Sequence, residues 1–245
     1  MSSIDNAHPD EAHPDEPHNG GVNNKLNALR AGVLGANDGI VSVAAITVGV
    51  ASATPALGPV LTAGVAGLVG GAISMALGEY VSVSSQRDGE RALIAKEKLE
   101  LAEMPQQELL ELAGIYEQKG LSAATARQVA EELTAKDALR AHISAELNID
   151  PDDVVSPWRA AFASGIAFTI GALLPLLAIL IAPSDLRVPA TMVAVLVALA
   201  LTGAAGAYLG QSRLLRPTLR VVIGGAIALA ATYLVGSALG TSGLV

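Results

Sequence analysis

The 245-residue chain is 51% hydrophobic and only 16% charged, and it contains no cysteine, which excludes a disulfide framework, a thiolate metal site and a cysteine nucleophile. Two Phe and one Trp are few for a soluble core of this size; the apolar mass is Ala, Val, Leu, Ile and Gly, in blocks long enough to cross about 30 Å of hydrocarbon. The net charge of −8 sits mainly in two hydrophilic stretches, residues 1–24 and 84–156, and neither offers the basic face that nucleic-acid binding needs.

Residues 1–24 carry five acids and no Lys or Arg, with the unit AHPDE twice and His8, His13 and His18 five apart. This stretch is expected to be a disordered acidic tail. A weak metal-gathering role for its His and carboxylate groups is the second reading. It has neither the basic start nor the apolar core of a signal peptide.

Residues 25–83 are expected to hold two spans, roughly Leu26–Ala53 and Val60–Val83, joined by a charge-free turn around Pro55–Pro59. Residues 157–245 are expected to hold three more. One starts at Pro157-Trp158 and ends near Ala182, with Pro in the first helical turn, Trp at headgroup level and Pro175 as an expected kink. The others cover about Val188–Leu209 and Leu219–Leu239. Small residues at Gly67-x3-Gly71, Gly206-x3-Gly210 and Gly236-x3-Gly240 predict tight helix contacts within one chain or between copies.

Residues 84–156 carry fifteen acids against eight bases and read as three helices. The first continues the second span without a Pro until Pro105. The second opens at Pro105, with Glu108 in its first turn and Gly120 just past its end. Ser122 is the expected N-cap of the third, which runs to about Asn148. The fold class is therefore an all-α integral membrane protein, with five transmembrane helices and a three-helix bundle between the second and third. With a cytosolic N-terminus, fourteen of the fifteen bases fall on the inside and only Arg187 outside. The bundle is then cytosolic, the C-terminus outside, and a bacterial inner membrane is the default location.

Asp38, in the first span, and Glu79, in the second, have no base at membrane depth to pair with. A charged group near the bilayer centre costs at least ~2.5 kcal/mol, so such acids face a cavity, a cation or a proton. Met75, one turn before Glu79, adds a soft thioether to the hard oxygens, a mixture suited to Fe2+ or another first-row metal. The competing reading leaves both acids at interface depth and Met75 in packing. In the hydrophilic segment, Glu97-x2-Glu100 and Glu108-x2-Glu111 each place two acids on one helix face. His142 and Glu146 form an i,i+4 pair on the third helix. Glu131 and Glu132 read as ordinary surface charge, and so do Glu103 and His142, which stand only as possible further ligands.

Three stretches resemble the vacuolar iron transporter family and its bacterial relatives: GANDGIVS at 35–42, GAISMALGEYVSVSSQRD at 71–88, and the Glu pairs followed by HISAEL at 142–147. The order of parts matches over about residues 24–240. The resemblance implies a homodimer that exchanges cytosolic Fe2+, or Mn2+, Co2+, Ni2+ or Zn2+, for protons, the metal being substrate and not a resident cofactor. It implies a pathway lined by Asp38, Met75 and Glu79, and metal-binding glutamates at Glu97, Glu100, Glu108, Glu111 and Glu146. The His-containing tail departs from the family pattern. Two alternatives remain: a membrane-anchored ferritin-like iron oxidase and a metal-sensing scaffold without transport. A di-iron oxidase wants Glu-x-x-His pairs on a four-helix bundle, which this segment lacks.

Overall fold

In the structure, a computed structural model, residues 21–149 and 156–242 are described, with side chains from residue 31 onward. The tail with His8, His13 and His18 lies outside the described residues. Seven helices and no strand occur among the described residues: α1 (Gly21–Ala53), α2 (Leu57–Glu103), α3 (Pro105–Gln118), α4 (Ala123–Ala145), α5 (Pro157–Ile181), α6 (Arg187–Leu209) and α7 (Leu215–Thr241). Five of them, α1, α2, α5, α6 and α7, are long and apolar enough to cross a membrane. Helices suit that setting because each satisfies its backbone hydrogen bonds internally, where no water is present to do so. The chain divides at Val81/Ser82 and Val155/Ser156 into two compact units.

In the apolar unit, α1 is the central helix. Its Ile40, Ala44 and Val48 pack on Val195, Ala198 and Leu199 of α6 and Leu229 of α7. Val43, on another face, packs on Phe168, Ala172 and Leu176 of α5, with Leu68, Ala72 and Met75 of α2 against the same cluster. Between α1 and α5 the backbones themselves touch. A Cβ on Gly39 would meet the Phe168 carbonyl, and one on Gly171 would meet the Ala36 carbonyl. Gly236 and Gly240 bring α7 equally close to Gly49 and Ala53 of α1, so one of the predicted small-residue pairs is an intrachain contact. Gly67 and Gly71 instead face the side chains of Ile46 and Phe168. α5 runs unbroken through Pro175. Arg187 Nη1 donates to the Pro55 carbonyl at 3.2 Å, tying the α1–α2 turn to the start of α6. Tyr80 and Trp158 pack with ring centroids 4.6 Å apart and their planes tilted by 47°.

In the hydrophilic unit, α3 and α4 pack through Leu112, Ala113 and Ala130. Met104 precedes Pro105, which starts α3 because its missing N–H is not needed in a first turn. α3 closes in a Schellman motif: Leu121 N–H donates to the Tyr116 carbonyl and Gly120 N–H to the Glu117 carbonyl. Gly120 takes φ +103° there, a conformation that side chains disfavour. Ser122 Oγ accepts from the Thr125 amide at 3.3 Å and caps α4.

α4 is not the continuous helix expected. At Asp137 the backbone is extended, with φ −165° and ψ 94°. The Asp137 carboxylate accepts from the Arg140 amide at 3.0 Å, so it caps a second short helix. That second piece carries His142.

The backbone contact at Gly39 predicts a large penalty for any side chain there, since a carbonyl cannot move aside as a side chain can. Gly39→Val should destabilise the detergent-solubilised protein by about 3 kcal/mol, at the upper end of overpacking costs. Gly224→Ala, with open space at its Cβ, should be neutral or slightly stabilising. Thermal unfolding of the two variants checks both, and equal melting temperatures would contradict the α1–α5 contact.

Candidate functional site

Two groups of chemistry-bearing side chains emerge, one in each unit. In the apolar unit, Asp38 and Ser42 of α1 and Met75 and Glu79 of α2 line one pocket of about 510 Å³, with Gly67, Gly71 and Ser74 among its walls. Glycines at 70 and 78, each with open space where a Cβ would stand, leave its α2 side low. Ser42 Oγ donates to Asp38 Oδ1 at 2.6 Å, which orients the carboxylate and leaves its second oxygen available. No Lys or Arg lines this pocket, so its two acids have only a cation or a proton to balance them. The three residues expected on a shared pathway, Asp38, Met75 and Glu79, thus sit around one space. Sequence reasoning does not single out Ser42 and Ser74 as site residues, although both lie inside the motifs GANDGIVS and GAISMALGEYVSVSSQRD that carry the family resemblance.

The hydrophilic unit gathers one side chain from each of its three helical stretches. Glu97 comes from α2, Glu108 from α3 and His142 from α4, and one ligand atom of each lies within 4.8 Å of the others. His142 Nδ1 is 3.0 Å from Glu97 Oε1, 3.6 Å from Glu108 Oε2 and 3.6 Å from Glu146 Oε2. Glu97, Glu108 and His142 are all buried. His142, expected as surface charge, is instead the centre of the cluster, fully out of water. The break at Asp137 sets the direction of the short helix that carries it, and a helix-periodicity argument over one continuous α4 has no means of seeing that.

The other predicted glutamates lie further out. Glu146 is part-exposed at the edge of the cluster. Glu100 is part-exposed and salt-bridged to Lys96 Nζ at 2.8 Å. Glu111 and Glu103 are exposed.

Burial raises the Glu97 carboxyl pKa to about 7, with repulsion from Glu146, Glu108, Glu100 and Glu111 acting in the same direction. Burial also raises Glu108, assisted by Glu111 and opposed by His142. A carboxylate held protonated near neutrality, among other acids, is displaced from its proton by a divalent ion.

Five apolar helices long enough to cross a membrane, with a base-free acidic pocket in one unit and an acidic and histidine cluster in the other, define a multi-pass helical membrane protein. Residues 29–237 match the family model described as the VIT family, and the chain belongs to that family. It is 44% identical over 209 residues to a protein of Acanthamoeba castellanii named vacuolar iron transporter, covering 85% of this chain and 77% of that one. Vacuolar iron transporter homolog 2 of Oryza sativa subsp. japonica is 38% identical, over 84% of this chain and 88% of its own length. Vacuolar iron transporter homolog 2.1 of Arabidopsis thaliana is 35% identical, over 84% and 78%.

Because folding raises the Glu97 pKa from 4.5 to about 7, the folded protein holds this proton more tightly than the unfolded chain does. The stabilisation is complete below about pH 4.5 and is lost as pH rises through 7. Metal-free protein should therefore lose up to about 3 kcal/mol of stability between pH 5 and 8, and Glu97→Gln should remove most of that slope. Chelator-treated protein followed by thermal unfolding across this range is the check; identical slopes in both proteins would contradict it.

Proposed function

We propose that this chain carries divalent first-row metal ions, Fe2+ first and Mn2+ among others, out of the cytosol in exchange for protons. The observation that carries the reading is the pocket in which Asp38, Met75 and Glu79 meet without a base. Hard oxygens with one thioether favour first-row metals over Mg2+ or Ca2+. The printed names of the relatives, vacuolar iron transporters and their homologs, support iron as the leading substrate.

In this reading the N-terminus and residues 84–156 are cytosolic and the C-terminus is outside, following the distribution of Lys and Arg. The membrane is the cell (inner) membrane. Residues 84–156 act as a cytosolic three-helix metal-binding bundle that raises the local ion concentration at the inner mouth. Glu97, Glu108 and Glu146 hold the ion, with Glu100 and Glu111 adding negative potential around it. The ion then passes to Glu79 and Met75, then Asp38, and leaves on the far side. Each carboxylate that releases its ion takes up a proton, and the next ion expels it, so one set of groups couples the two flows. The working unit is a homodimer.

Metal uptake into proteoliposomes tests the assignment. Glu79→Gln keeps the shape and hydrogen-bonding capacity of the side chain but removes its charge; it should lower Fe2+ flux at least 100-fold without loss of folded protein, given the several kcal/mol at stake for a dehydrated ion. Glu97→Gln with Glu108→Gln should raise the half-saturating metal concentration about tenfold and change the maximal rate much less. A fully active Glu79→Gln protein would contradict the proposal.

A further inference from the structure

The buried cluster of the hydrophilic unit contains one group that is not a carboxylate, and its geometry sets it apart. His142 has no exposed surface, and neither of its ring nitrogens makes a hydrogen bond. Glu97 Oε1 is likewise buried and without a hydrogen bond, although it lies only 3.0 Å from His142 Nδ1. A donor and an acceptor at that distance would ordinarily align; here they stand side by side. Two buried ligand atoms close together without a hydrogen bond between them have the spacing of adjacent ligands on one ion. With bonds of about 2.1 Å, adjacent ligand atoms on a metal lie roughly 3.0–3.5 Å apart. The Nδ1 separations from Glu97, Glu108 and Glu146, 3.0, 3.6 and 3.6 Å, suit that spacing.

A satisfied structural histidine does not account for this environment. Such a residue is buried with its N–H donated to one acceptor, and three carboxylates around one ring are more negative charge than an imidazole can balance. A divalent cation offsets most of the charge of three acids, which an imidazole alone does not, and the ring nitrogen changes which cation is preferred. Carboxylate and water oxygens suit Mn2+, Mg2+ and Ca2+, whereas imidazole strengthens binding of Fe2+, Co2+, Ni2+ and Zn2+.

We propose that His142, through Nδ1, is a metal ligand together with Glu97, Glu108 and Glu146, and that it is the specificity-determining residue that makes this centre favour nitrogen-preferring first-row ions over Mn2+, Mg2+ and Ca2+. The inference deepens the transport reading and rests on it for its biological meaning. The binding chemistry is testable separately.

The chain has four histidines, so the full-length variant His8→Ala/His13→Ala/His18→Ala leaves His142 as the sole one. Loaded with one equivalent of Co2+ in detergent, this protein should show imidazole outer-shell scattering by X-ray absorption at the cobalt edge. Oxygen-only coordination would overturn the proposal without any further variant. In the same background, His142→Gln replaces the nitrogen by an oxygen donor and should lower the preference for Co2+ over Mn2+, measured by competition titration, about tenfold. An unchanged preference, or an equal loss for both ions, would overturn the specificity role. The two readings fail differently. Oxygen-only coordination in a protein that still transports sinks this inference alone, whereas an imidazole signal in a protein without flux sinks the transport reading alone.

Discussion

A carboxylate taken out of water must be given a positive partner, and this chain supplies almost none. That constraint shapes both units. In the apolar unit, Asp38 and Glu79 border one pocket whose walls offer a serine hydroxyl and a thioether but no Lys or Arg. In the hydrophilic unit, Glu97 and Glu108 are buried around His142, while Lys96, beside Glu97 in the chain, is salt-bridged to Glu100. Burying such groups without compensation costs several kcal/mol each. The strain is visible in the Glu97 carboxyl, held protonated up to about pH 7. For Glu97 and Glu108 that cost is relieved only by a proton or a cation.

The helices that hold these groups are built so that they can be held close. α1 lies at the centre of the apolar unit, and glycines at 39, 171, 236 and 240 remove the side chains that would keep its neighbours away. Backbone contact positions Asp38 firmly, because a helix wedged against carbonyls on two sides has little room to rotate. The pocket side of α1 is different: there Gly70 and Gly78 of α2 leave space instead of closing it. The same residue type packs one face and opens another. Which it does depends on what stands opposite.

The spans, the Pro105 start of α3, the Ser122 cap and the Gly120 stop were all legible in the sequence, because each follows from composition or from the chemistry of one residue. Asp38 and Glu79 stood out as acids inside apolar spans and Met75 as lying one turn from Glu79, while their grouping on one pathway was what the family resemblance implied; the three line one pocket. The division of the glutamates was not. Glu97, Glu100, Glu108 and Glu111 look alike as two E-x-x-E pairs, and only tertiary packing separates a buried Glu97 from an exposed Glu111. The burial of His142 was the clearest miss, although the residue stood as a possible further ligand paired i,i+4 with Glu146. Its burial depends on the helix break at Asp137, in a stretch with neither Gly nor Pro to announce it. An isolated His beside surface charges has no periodic signature of its own.

In the proposed exchange, metal leaves as protons enter through groups that bind either one. The most direct measurement is simultaneous recording of luminal pH and metal in proteoliposomes, with no gradient of protons imposed and Fe2+ added on one side under reducing conditions. The account predicts that inward metal movement drives protons out in fixed proportion, so that the lumen turns alkaline as metal accumulates, and that reversing the metal gradient reverses the pH change. Metal accumulation with the luminal pH unmoved, in vesicles shown to be proton-tight, would contradict it.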